Sequence, residues 1–436
     1  MNKHKHMESS SATLTDALPP TTTTKHGSLT LHPLPLQSPL QSNANQQHQQ
    51  LASNFGRIVT GIELESLESS LEPSLESRLK QLLFKHSILV FRGGASVSPR
   101  TQLALTRVFD ASAPGFYGHD NNNNNNNNFN KKSVLHPDLK TIPAVPQVQL
   151  IGNGFVEEHE GLANVNLVHP HHRTFHRDVV SEDDEERGYT RFYRWHIDAA
   201  LYDLSPPVAT TLHAIKVPKD KWQTVRYDDG TGDELKVPLG ATAFISGAQA
   251  FSILPPHHKS LAVRTRVTYA PHPYVWMSPA KSLPTGLGLY SDSLELPLDA
   301  LPPFTEEKMK TLPLCWKNPE TGELHLQVHP SAIYKLTIDP SPSPKEGDLY
   351  PEGATLTSLP EIRALIYSLQ RPAIAPQYVY AHDWEEGDFV VFHNRGVLHS
   401  ITGAFRKDQV RMFHQCNLAS GSDPEGPDQE DVERFC

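Results

Sequence analysis

Arg191-Phe-Tyr-Arg-Trp195-His196-Ile197-Asp198, running on into Ala199-Ala-Leu-Tyr202, decides how this 436-residue chain is read. β-forming aromatics lead into it, and the middle residue of His-x-Asp is apolar, so it reads as a strand edge over a pocket. Residues i and i+2 of a strand share a face, so His196 and Asp198 aim at one ion while Ile197 packs behind. Two more His-x-Asp tripeptides occur among the chain's 24 histidines. His136-Pro-Asp138 has Pro between the partners and reads as loop, and His176-Arg-Asp178, close to an acidic run, reads as a solvated, mobile loop.

A third ligand comes from the distal block Glu386-Gly-Asp-Phe-Val-Val-Phe392, a turn and a buried strand, followed by His393-Asn-Arg-Gly-Val-Leu-His399. Twelve residues after His399, Arg411 opens the apolar run Met412-Phe413. An Arg on a core strand is costly unless it meets a carboxylate, and where no protein acid serves, a ligand carboxylate suits its planar fork. Arg406 competes for that part but reads as a polar turn with Lys407 and Asp408. Two His and one carboxylate on one face leave positions open on a redox metal. With the Arg added, the set suits iron together with a 2-oxo-dicarboxylate.

The rest of the chain is consistent with a β-rich enzyme. Lys plus Arg number 39 against 49 Asp plus Glu, a net charge of −10, which argues against non-specific binding to nucleic acid or anionic membrane. No apolar run reaches the roughly 18 residues of a transmembrane helix, and the N-terminus lacks the apolar core of a secretory signal. Three cysteines (Cys315, Cys416, Cys436) cannot build a disulfide framework or a Cys-only zinc site. The chain reads as soluble and cytoplasmic.

Residues 1–50, poor in large apolar side chains, read as a disordered low-complexity tail, and the eight Asn at 121–128 as an exposed loop insertion. Residues 51–436 read as a single catalytic domain. Leu75, Leu79, Leu82 and Leu83 form a helical stripe, and residues 88–92 follow as a buried strand. Short apolar runs at 148–151, 191–197, 209–217, 241–245, 262–269, 389–392 and 410–413, spaced by turn residues, suggest a mainly β sandwich, barrel or jelly roll. Residues 293–380, with a helix over 360–369, look like an elaboration between core strands.

Over roughly Phe55 to Ser420 the chain resembles the iron(II)- and 2-oxoglutarate-dependent dioxygenases of the taurine and phenoxyacetate dioxygenase type. The motifs are Phe55-Gly-Arg-Ile-Val-Thr-Gly with residues 88–92, Trp195-His-Ile-Asp198, Gly240-Ala-Thr242-Ala-Phe244, and His393 to His399 with Arg411. More narrowly, Arg191 to Asp203 and Arg411-Met-Phe-His-Gln415-Cys-Asn417-Leu are similar to the fungal 2-oxoglutarate-dependent xanthine dioxygenases. The resemblance implies a double-stranded β-helix, a distorted, cupin-like jelly roll with flanking helices. It implies Fe(2+) on His196, Asp198 and His399, with 2-oxoglutarate and O2 as co-substrates. The distal carboxylate of 2-oxoglutarate would meet Arg411, helped by the Thr242 hydroxyl, and xanthine would become urate with release of succinate and CO2.

Purine diones alternate N–H donors and C=O acceptors, which amides match. Gln415 and Asn417 share a strand face, as do Gln147 and Gln149, and these four are the expected substrate contacts; Cys416 should face away and pack. A neutral amide at 415, where the taurine enzymes carry an Arg, favours an uncharged heterocycle. Asp184 and Glu185 could accept a proton from the purine, although an acidic run is usually just solvated. Two rivals remain: a relative acting on a sulfonate or aryloxy acid, and a non-catalytic jelly roll holding zinc. Arg411 and Thr242 count against the second, because a zinc site needs no carboxylate clamp.

Overall fold

Apolar strands covered on both faces organise the molecule. The computed structural model describes residues 29–35, 49–65, 72–94, 96–114, 140–219, 221–406 and 409–436. Its largest sheet has nine strands. In spatial order they are Thr30–Pro33, Arg57–Thr60, Ile88–Phe91, Phe389–His393, Ala209–Lys216, Arg411–Asn417, Val145–His159 and Lys140–Ile142, with Leu162–Leu167 paired off Val145–His159. Ile88–Phe91 and Phe389–His393 are buried throughout, which is why they read as unbroken apolar runs rather than alternating ones.

One face of this sheet is covered by the helices Pro73–His86 and Pro99–Phe109. The first buries Leu75, Leu79, Leu82 and Leu83 and stops at Ser87, whose left-handed φ of 63° turns the chain straight into the next strand. The other face meets a three-stranded sheet of Tyr380–His382, Thr242–Ser246 and Val397–Ile401. Leu212, Phe244, Tyr380, Val390, Phe392 and Phe413 fill the space between. A turn at residues 393–396, closed by the Gly396 N–H on His393 O at 2.8 Å, carries the chain from the large sheet to the small one.

Three expectations change. The 191–197 segment is not a continuous strand; it pairs with Val397–Ile401 and its neighbour through single bridges, Phe192 to Thr402 and His196 to His399. The 262–269 run splits into a helix, Pro256–Val263, and a strand, Thr265–Tyr269. Part of the expected disordered tail is ordered: Thr30–Pro33 pairs with Arg57–Thr60, and Leu34 is buried against Gly56. A few spaced leucines suffice to add an edge strand to an existing sheet. The remainder of that tail, the Asn tract and His136-Pro-Asp138 lie outside the described residues.

The elaboration at 293–380 packs into the core. Its strands Thr311–Pro313, Ile333–Ile338 and Ala354–Leu356 join Thr265–Tyr269 in a four-stranded sheet, and its helix Leu359–Gln370 packs into the same core as Trp195, Ile197 and Ala243. That packing brings the stretch against the back of the 191–201 segment, and so against the candidate site.

Candidate metal centre

His196 and His399 are partners in a two-way backbone pair: each N–H donates to the other's carbonyl at 3.0 Å. Pairing places the two rings with centroids 4.1 Å apart. Asp198, two residues on, brings its Oδ1 to 3.8 Å from His196 Nε2 and 3.6 Å from His399 Nε2. One ion bonded at about 2.1 Å to each can span such gaps. The ring of His196 is oriented by its own backbone, since Nδ1–H donates to Arg194 O at 2.7 Å, which leaves Nε2 bare for a metal.

Asn394 holds Asp198 in place, a role the sequence showed only as a residue in the turn before His399. Its Oδ1 accepts from Asp198 N–H at 2.8 Å, and its Nδ2 donates to Asp198 O at 2.8 Å and Pro207 O at 2.9 Å. Thr210 donates to Asp198 Oδ2 at 2.7 Å. Burial alone would raise the Asp198 pKa, but His399, His196 and the Thr210 hydrogen bond outweigh it and hold the carboxyl below its usual range. Burial pushes the His399 imidazole down to about 3 and lowers that of His196. The three side chains thus stand as one carboxylate and two neutral imidazoles, the protonation states that bind a cation. The donor set fits Fe(II), with positions left over toward the cavity.

That cavity is about 420 Å³ and is lined by His196, Asp198, His399 and Arg411. Arg411 is 1% exposed, and no carboxylate pairs with it among the described residues. Its Nε donates to Gly240 O at 3.2 Å and its guanidinium lies 3.8 Å over the Phe413 ring. Burial drags its pKa down to about 9. Gly240 sits at φ +78°, and a Cβ there would come within 3.1 Å of Arg411 Cδ, so glycine is what lets the side chain pass. Thr242 lines the same end; its Oγ accepts from Trp384 Nε1–H at 3.2 Å, which turns its own proton toward other acceptors. Arg406 is exposed and does not line the cavity.

Of the four amides, three reach the cavity: Gln149, Gln415 and Asn417. Gln415 spends its Nε2 on Asp198 Oδ2 at 3.2 Å, and the Asn417 side chain also bonds Asp198, with its Oδ1 buried and unpartnered. Gln147 is half-buried and away from the cavity, because the ladder between Val145–His159 and Arg411–Asn417 ends at Val148. Cys416 faces away and is fully buried with Val148 and Met412.

His176 corrects its loop reading. It is 2% exposed and bonds Phe192 O at 2.8 Å through Nε2, buttressing the strand edge before the site. Asp184 and Glu185 are not simply solvated. Asp184 pairs with Arg187 and Arg226, while Glu185 meets Arg173 at 2.9 Å, His171 at 3.3 Å and His172 at 3.4 Å. That second His-His-Glu group lies within metal-binding distances. Arg173 already neutralises its carboxylate, and His171 Nδ1 accepts from Arg173 N–H, which leaves the His171 Nε2 proton pointing at Glu185. Both ring nitrogens of buried His172 have no hydrogen-bond partner among the described residues.

A buried two-His, one-carboxylate cluster beside an unpaired Arg defines a class, and the family comparison agrees with it. Residues 47–417 match the model of the taurine catabolism dioxygenase TauD, TfdA family, and the chain belongs to that family. Fe(II), 2-oxoglutarate and O2 are the reagents of its chemistry. The alpha-ketoglutarate-dependent xanthine dioxygenase of Emericella nidulans is 53% identical over 85% of this chain and 94% of its own length. Those of Neurospora crassa and Schizosaccharomyces pombe are 51% and 49% identical, each covering 87% of both chains. Among solved structures, an alpha-ketoglutarate-dependent taurine dioxygenase from Burkholderia xenovorans is 17% identical, with a TM-score of 0.50 over 87% of this chain and 91% of that one. That likeness speaks to the fold alone.

Proposed function

We propose that the protein oxygenates xanthine to urate, consuming 2-oxoglutarate and O2 and releasing succinate and CO2. The observation that carries the reading is Arg411: a guanidinium with no acidic partner among the described residues, buried in the cavity that opens on His196, Asp198 and His399. A buried cation without a counter-ion is costly, and a dicarboxylate co-substrate supplies one. In this reading the two facing sheets form a double-stranded β-helix, the Fe(II) sits on His196, Asp198 and His399, and Thr242 assists Arg411.

Fe(II), when bound, supplies the redox chemistry that couples decarboxylation of 2-oxoglutarate to insertion of one oxygen atom at purine C8. The protein's own part is to orient the reagents and keep bulk water out. Asn394 and Thr210 hold Asp198 against the pull of the cation. The amides of Gln149, Gln415 and Asn417 face the purine; the unpartnered Asn417 oxygen is an acceptor for a ring N–H. High identity to three curated xanthine dioxygenases supports xanthine over a sulfonate or aryloxy acid.

The test is direct. Purified protein with Fe(II), 2-oxoglutarate and air is given xanthine, taurine or an aryloxyacetate. Urate is read from its ultraviolet spectrum and succinate is counted in parallel. Equal urate and succinate with xanthine is the expected result. Succinate that follows taurine or the aryloxyacetate, and not xanthine, would overturn the substrate.

A further inference from the structure

The cavity lining carries a second cation, Arg194, which the sequence reading did not weigh. Arg194 lies two residues before His196, is 9% exposed and lines the cavity. Its Nε donates to Ser282 Oγ at 2.9 Å and its Nη2 to Ala280 O at 2.6 Å. Its Nη1 has no partner, and no carboxylate pairs with the guanidinium, among the described residues. Tyr274 and His329 line the cavity with it, their rings 5.8 Å apart. The Tyr274 hydroxyl has no hydrogen-bond partner among the described residues. Burial and nearby Asp198 push its pKa up, so it stays a neutral donor. His329 is 1% exposed, with both ring nitrogens unpartnered.

Counting charge in the cavity shows what this wall lacks. Asp198 is the one acidic residue lining it among the described residues, and it is engaged by His196, His399, Thr210 and Gln415. Two guanidiniums and a divalent ion against this carboxylate leave three positive charges. A 2-oxoglutarate dianion removes two of them. One positive charge is left over, at buried Arg194, where an unpaired charge is costly.

We propose that Arg194, with Tyr274 beside it, binds the purine as its monoanion, the Nη1 N–H donating to the oxygen or nitrogen that carries the negative charge after loss of the N3 proton. This rests on xanthine being the substrate. It revises the expectation of a wholly uncharged subsite: amides read the hydrogen-bonding pattern of the heterocycle, and Arg194 selects its charge. A guanidinium is the suitable cation here, because it stays charged when buried and offers its donors in one plane with the ring.

Two methyl isomers of equal bulk separate charge from shape. 1-Methylxanthine keeps the N3 proton to lose; 3-methylxanthine has none there. Binding of xanthine and both isomers is measured by calorimetry on enzyme loaded with Fe(II) and 2-oxoglutarate, without O2. Wild type is expected to bind xanthine and 1-methylxanthine roughly tenfold or more tighter than 3-methylxanthine. Arg194→Gln should weaken the first two by roughly 10- to 100-fold, leave 3-methylxanthine and 2-oxoglutarate binding near wild type, and so collapse the preference. Arg194→Lys should restore part of it. Ser282→Ala removes the tie to the neighbouring loop without touching Nη1 and should keep the preference intact. If the preference survives in Arg194→Gln, it is steric; if xanthine affinity there is unchanged, or Ser282→Ala reproduces the loss, Arg194 is only a tie to residues 280–282. Each of these outcomes overturns the proposal. Failure of wild type to bind xanthine would instead remove the substrate reading itself, and it would show before any variant was made.

Discussion

Replacing Arg411 with Met should make the ligand-free protein more stable while destroying its response to 2-oxoglutarate. Burial lowers the Arg411 pKa to about 9, a penalty on the cation on the order of 5 kcal/mol. A base whose pKa is depressed by folding disfavours the fold below its folded pKa, and the penalty fades only as pH rises above about 9. At neutral pH the full penalty is therefore present. Met removes it and keeps most of the volume. It gives up the hydrogen bond to Gly240 O and the stacking on Phe413, together about 2 kcal/mol. The balance is about 3 kcal/mol in favour of Met before allowing for water in the cavity, enough to raise Tm by a few degrees. 2-Oxoglutarate at a hundred times its Kd should stabilise metal-loaded wild type by about 2.7 kcal/mol and Arg411→Met not at all. Differential scanning fluorimetry with and without 2-oxoglutarate reads both effects. A variant that is markedly less stable without ligand, or that still gains from 2-oxoglutarate, would show that Arg411 is held by the protein and is not waiting for a carboxylate.

Three further outcomes test other parts of the structure. Asn394→Ala strips three buried hydrogen bonds from Asp198 and Pro207; it should cost about 2–4 kcal/mol in thermal unfolding and weaken Fe(II) binding in a metal titration, and unchanged metal affinity would show that Asp198 needs no such clamp. Removing residues 1–28 should leave Tm unchanged, whereas removing 1–48 takes away Thr30–Pro33 and buried Leu34 and should lower it; equal melting of the two truncations would mean that strand adds nothing. Buried His86, His176 and His213 are each pushed to about 4 by desolvation. The unfolded chain therefore binds more protons below about 6.5, and stability should fall by about 2 kcal/mol per residue on going from pH 8 to pH 5; a flat urea-unfolding profile over that range would refute neutral burial of these rings.

Much of the candidate site could be read from the chain because its chemistry is local. His-x-Asp works through the two-residue period of an extended backbone, and a strand Arg announces its own need for a counter-charge. What escaped the reading depends on contacts between distant segments. Asn394 and Thr210 are an ordinary turn residue and an ordinary strand residue until folding sets both against Asp198. His176 reads as loop because its burial is supplied by residues 192 and 282, which its neighbours do not reveal. Gln147 and Gln149 look equivalent by alternation, and only the point where the strand pairing stops tells them apart.

By itself, then, the order of residues determined which side chains could bind a metal and a dicarboxylate, and the mainly β architecture that would carry them. Those are matters of residue type and short spacing, set by covalent geometry. Only the tertiary structure decided that residue 196 pairs with 399 across some two hundred positions, and that Arg411 meets no acid among the described residues. It also decided that residues 274 and 329 join Arg194 in a positively charged wall. Burial and long-range proximity create those properties, and neither exists until the sheets have closed on one another.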